Sequence, residues 1–81
     1  MSDLSSADES LLKRIGRSIC EFTGGNPDAT MMIQRISAEI HVNEHEIIRV
    51  IRLAIERDLL ETPTSNQVKL GTFGPSYFCN E

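Results

Sequence analysis

Ile36-Ser37-Ala38-Glu39-Ile40-His41-Val42-Asn43-Glu44-His45-Glu46-Ile47 is the stretch whose reading decides the fold. Asn43 followed three residues later by Glu46 is a capping box: the Asn oxygen accepts from the orphan N–H groups of a new helix while the Glu side chain reaches back. A helix therefore starts at Glu44. Ile36 and Ile40, four residues apart, belong to the end of a preceding helix, so only His41, Val42 and Asn43 link the two. A link this short forces a sharp bend, and Val42 is placed to plug the angle.

Working outward, a helix over 44–58 puts Ile47, Ile48, Ile51, Ala54, Ile55 and the following Leu59 on one broad face. His45, Arg49, Arg52 and Glu56 occupy the opposite edge. Val50 and Leu53 lie outside the apolar arc, so another part of the chain covers them or they are left for a partner. Upstream, Asn26-Pro27 reads as an N-cap with proline at the first helical position, predicting a helix over 27–40 that buries Met32, Ile33, Ile36 and Ile40, with Ala29 at its start. Before it, Leu11, Leu12, Ile15, Ile19 and Phe22 form a stripe on a helix over 7–23, opened by the capping box Ser6-Ala7-Asp8-Glu9 and closed by Gly24-Gly25. After Leu60 the pattern turns to strand chemistry. Residues 59–63, 67–70 and 76–79 read as short strands separated by Thr64-Ser65-Asn66 and by Gly71-Thr72-Phe73-Gly74-Pro75, and their apolar face must pack on the helices. The class expected is α+β: three helices followed by a small C-terminal antiparallel hairpin or sheet.

The chain has 81 residues, of which 40% are apolar and 25% charged, and a formal net charge of −4. That suits one domain over 1–81 and leaves little room for the deep cleft of an enzyme. Each of the segments 1–24, 25–42, 43–58 and 59–81 carries one more acid than bases, so no basic region is hidden by an acidic tail. No apolar run approaches the ~18 residues of a membrane span. The first residues have neither a positive nor an apolar region that would mark export, so a cytoplasmic location without membrane association is expected. In a reducing cytosol Cys20 and Cys79, 59 positions apart, are expected as free thiols.

The run 36–43, the core spacing of Ile47, Ile51 and Ala54, the segment Glu56-Arg57-Asp58-Leu59-Leu60 and the closing Tyr77-Phe78 together resemble a winged helix-turn-helix domain over about residues 8–79. The resemblance implies a third helix that enters the major groove of DNA, with a wing loop against the flanking backbone. It places Asn43, His45, Arg49 and Arg52 toward double-stranded DNA, and Lys69 and Thr72 in the wing. On that reading the protein is a small transcriptional regulator, binding as a homodimer because two half-sites raise a weak affinity. The same fold also serves protein interaction. In that alternative Val50, Leu53 and Phe73 are apolar anchors, and the acidic surface, with Lys69 the one cation after residue 57, discourages nucleic acid.

Other motifs have plainer explanations. His41-Val42-Asn43-Glu44-His45 matches H-x-x-E-H, whose zinc chemistry needs both histidines on one continuous helix, yet Asn43 caps a helix between them. No metal or other cofactor is expected. Lys13, Arg14 and Arg17 read as a solvated face of the first helix, and Gly71-Thr72-Phe73-Gly74 as a turn without a following phosphate-binding helix. The few nucleophiles and histidines sit at cap or turn positions, so no catalytic triad assembles and the chain does not read as an enzyme.

Overall fold

The computed structural model describes residues 5–79. Its elements run α1 Ser6–Thr23, β1 Thr30–Met32, α2 Ile33–Ile40, α3 Glu44–Ile55, β2 Leu60–Thr64, β3 Gln67–Leu70 and α4 Gly74–Phe78. The three strands form an antiparallel sheet in the order β1-β3-β2. The result is a mixed α+β architecture, several helices and a small sheet around one apolar cluster.

Local chemistry accounts for most of the element ends. Ser5, one residue earlier than the predicted box, caps α1 by accepting from the Asp8 N–H at 3.1 Å. Gly24 (φ 67°) and Gly25 (φ 83°) take the left-handed conformations that stop α1. α2 and α3 meet at the expected bend: the Asn43 Oδ1 accepts from the His45 N–H at 2.7 Å, and Ser37 Oγ donates to the Val42 carbonyl at 2.6 Å. Arg14 reaches from α1 to donate to the Ile40 carbonyl at 2.8 Å, satisfying an orphan acceptor at the α2 C-terminus. α3 stops at Ile55 rather than 58, and the chain turns through Asp58 at φ 60°.

Four expectations are corrected. The predicted helix over 27–40 begins only at Ile33. Asn26 Oδ1 accepts from the Asp28 N–H at 2.9 Å, an Asx turn around Pro27, and Thr30-Met31-Met32 then pairs with Lys69-Val68-Gln67 as β1. Strand alternation inverts the methionines: Met31 is 2% exposed and in the core, whereas Met32, predicted to be buried, is 43% exposed. The predicted strand over 76–79 is helix α4, with Pro75 in its first turn, so the sheet takes its third strand from before α2. Finally, Cys20 and Cys79 are joined in a disulfide, with Cα atoms 5.7 Å apart, and are not free thiols.

The core draws Leu12, Ile15 and Ile19 from α1, Ile36 from α2, and Ile47, Val50, Ile51 and Ala54 from α3, closed by Met31, Leu60, Val68 and Leu70 from the sheet. The expected stripes of α1 and α3 supply most of it. Phe22, expected at the end of the α1 stripe, is instead half exposed beneath the Arg35 guanidinium, 4.6 Å from the ring centroid.

Candidate docking face

Most of the predicted contact residues lie on α3 and its N-cap, with Lys69 on β3. Asn43 is committed to the cap, and His45 is exposed in the first turn of α3. Arg49 follows one turn later, but its guanidinium is engaged within the chain. Its two terminal nitrogens donate to Asp8 Oδ2 at 3.0 Å and Oδ1 at 2.8 Å, and one of them also to Glu46 Oε1 at 2.8 Å. These bonds hold the Asp8 carboxyl below its ordinary pKa and raise that of Arg49. Arg52 is exposed in the last turn of α3.

The hairpin contributes few cations. Lys69 lies on β3 with Nζ 3.8 Å from Glu61 Oε1 on β2. The tip is Ser65-Asn66, where the Asn66 carbonyl accepts from the Ile33 N–H at 2.9 Å and ties the turn to the start of α2. Thr72 is not at that tip: it follows β3, in the exposed loop leading to α4. Arg49 is therefore paired with Glu46 and with Asp8 of α1, and Lys69 stands near Glu61, while Glu44 and Arg52 are exposed on α3.

The predicted apolar anchors separate. Val50 is fully buried in the core and cannot serve as a surface anchor; the chain itself covers it. Leu53 is half-buried, and Phe73 is 56% exposed at the start of α4, its N–H donating to the Asp58 carbonyl in the turn after α3. A groove of about 300 Å³ runs between the first turns of α2 and α3 and the hairpin tip; its lining is mostly polar, from Gln34, Glu44, Ser65 and Asn66, with Met32 and Ile48 as apolar members. The sequence signal for it was the Met32 position, legible only once residues 30–32 are recognised as a strand.

His41 closes α2 in a left-handed conformation and His45 belongs to α3, so the H-x-x-E-H residues do not share a helix. Among the described residues no group of three or more His, Cys, Asp or Glu side chains is arranged to hold a metal ion. Among the same residues no helix is long and apolar enough to cross a membrane. Comparison with protein-family models, with curated proteins and with solved structures gives no match.

Proposed function

We propose that the chain is a winged-helix-like module that works by docking a protein partner through α3, the hairpin tip and the groove between them. The observation that carries this reading is the engagement of Arg49 by Asp8 and Glu46. Exposed ion pairs of this kind are worth only ~0–1 kcal/mol and a phosphate could displace them. The carboxylates would nevertheless stay beside the phosphates, and with Glu44 and Glu61 they outnumber the cations of the face. Counterion release, the main source of affinity for duplex DNA, needs several cations presented together. A protein surface with mixed charge and polar groups for the groove between α2, α3 and the hairpin tip matches these residues better.

The second reading, a small cytoplasmic DNA-binding regulator acting as a homodimer, draws its support from the recognition-helix position of α3. There His45 and Arg52 are exposed, and Arg52 carries no ion pair among the described residues. Fluorescence anisotropy with a labelled mixed-sequence duplex at ~50 and ~200 mM salt separates the two, because phosphate-driven affinity falls steeply over that range. The docking reading expects no saturable binding at the lower salt, and binding that emerges when Glu44 and Glu46 are both replaced by Gln. Salt-sensitive binding by the unmodified chain, weakened by Arg52→Ala, would establish the regulator instead.

A further inference from the structure

α4 has five residues with Gly74 and Pro75 in its first turn, too short a helix to persist in water unaided. Two attachments keep it on α1. Phe78, its one large core side chain, lies over Gly16, where a Cβ atom would fall 2.0 Å from the ring. One residue on, Cys79 is bonded to Cys20, one helical turn beyond Gly16. The other fourteen members of the core cluster come from residues 12–70, so the core does not depend on α4 for its main body. The bond is also accessible: both cysteines are half-buried, and a hollow of about 60 Å³ lined by Arg17, Glu21 and Phe78 opens on the two sulfur-bearing residues.

We propose that Cys20–Cys79 is a reversible redox latch, whose reduction by a dithiol frees α4 from α1 and uncovers the apolar seat around Gly16 while α3 and the sheet stay folded. A thiolate of the dithiol attacks one sulfur and forms a mixed disulfide, expelling the other as a thiolate. The second thiol of the reductant then closes on its own mixed disulfide. Two electrons and two protons pass to the chain, leaving Cys20 and Cys79 as thiols and the reductant as a cyclic disulfide. In a reducing cytosol the open form is the resting one, and oxidation closes it. This inference rests on the C-terminal attachment and not on the docking partner, so it stands or falls separately from the proposed function.

Amide NMR spectra of the full chain, oxidised with glutathione disulfide and then reduced with dithiothreitol, test it, with thiol alkylation and mass measurement reporting the state of the bond. The expected result is two alkylated thiols only after reduction, amide signals of residues 74–79 moving to random-coil positions, and signals around Gly16 shifting. Signals of Ile47–Ala54 and Val68–Leu70 remain dispersed, and reoxidation restores the first spectrum. Failure of the bond to form in glutathione disulfide overturns the latch. So does collapse of the whole spectrum on reduction, which would make the bond a staple of the entire fold, or an α4 unchanged by reduction. Cys79→Ser supplies a second route, its spectrum expected to match that of the reduced chain under both conditions.

Discussion

At the scale of the residue, Gly16 shows how one missing side chain decides a contact. It sits in the interior of α1, where glycine costs ~1 kcal/mol relative to alanine. Its use is the close approach of Phe78. Gly16→Ala should therefore destabilise by ~1–3 kcal/mol through overpacking, despite the better helix propensity. In a Phe78→Ala background the same change should be neutral or stabilising, since only the propensity gain remains. Urea denaturation of the four chains measures that reversal of sign; equal costs in both backgrounds would mean the ring does not occupy that seat. Gly16 lies outside the α1 stripe of Leu11, Leu12, Ile15, Ile19 and Phe22, and the aromatic it receives lies far along the chain, so the contact was not legible in the sequence.

Asp8 and Arg49 pose a different residue-scale problem, because 41 positions separate them and nothing local links them. Arg49 was legible as an exposed cation of α3, whereas its partner lies in the first turn of another helix. The folded-state pKa of Asp8 is depressed, so its contribution to stability is present above the unfolded value near 3.8 and is lost as pH falls through the folded value. Asp8→Asn should flatten the dependence of the denaturation midpoint on pH in that acid range. Thermal melts between ~pH 2 and ~pH 5 would read it. An identical pH dependence in both chains would dissolve the pair. The same substitution leaves Arg49 bonded to Glu46 but removes one carboxylate beside it, which on the proposed balance of charge should raise duplex affinity rather than lower it.

At the scale of the element, β1 is where helical periodicity and tertiary pairing compete. Met32, Ile33, Ile36 and Ile40 have helical spacing, and that spacing correctly predicts α2 from Ile33 onward. The three residues before it are claimed instead by β3, whose Lys69, Val68 and Gln67 pair with Thr30, Met31 and Met32. A three-residue strand has too few positions to show alternation, and its partner lies far along the chain. The two assignments differ in which methionine is inside. Met31→Ala should cost ~2–5 kcal/mol, the range for truncating a core side chain, whereas Met32→Ala should cost under ~1 kcal/mol. Chemical denaturation of both variants checks this, and the opposite order would restore the longer helix. The α2–α3 bend was legible because its determinants, the Asn43 cap and the isoleucine spacing, are local, although Glu46 accepts from Arg49 rather than reaching back to the cap. α4 was not, because Tyr77-Phe78-Cys79 is rich in strand formers and only the seat on α1 and Pro75 in the first turn favour a helix.

At the scale of the whole molecule, the Cys20–Cys79 bond closes residues 20–79 into a loop that holds every buried core residue except Leu12, Ile15 and Ile19. Its thermodynamic effect therefore falls mainly on the unfolded chain, whose ends it confines, rather than on contacts in the folded one. Loop-closure entropy for this length sets a ceiling of about 4 kcal/mol on the stability gained. A domain this small has little to spare, so the oxidised and reduced chains should differ clearly in urea midpoint, with both unfolding cooperatively. The slope of the transition carries separate information. A cross-linked unfolded chain exposes less surface, so the oxidised protein should show the smaller m-value as well as the higher midpoint. Release of α4 on reduction removes some buried area from the folded state and acts on the slope in the opposite direction, but through one five-residue element rather than the whole loop. Parallel urea titrations with and without dithiothreitol measure both quantities. A larger slope for the oxidised chain would locate the stabilisation in the folded contacts of α4, and no shift in either quantity would mean that the bond constrains neither state.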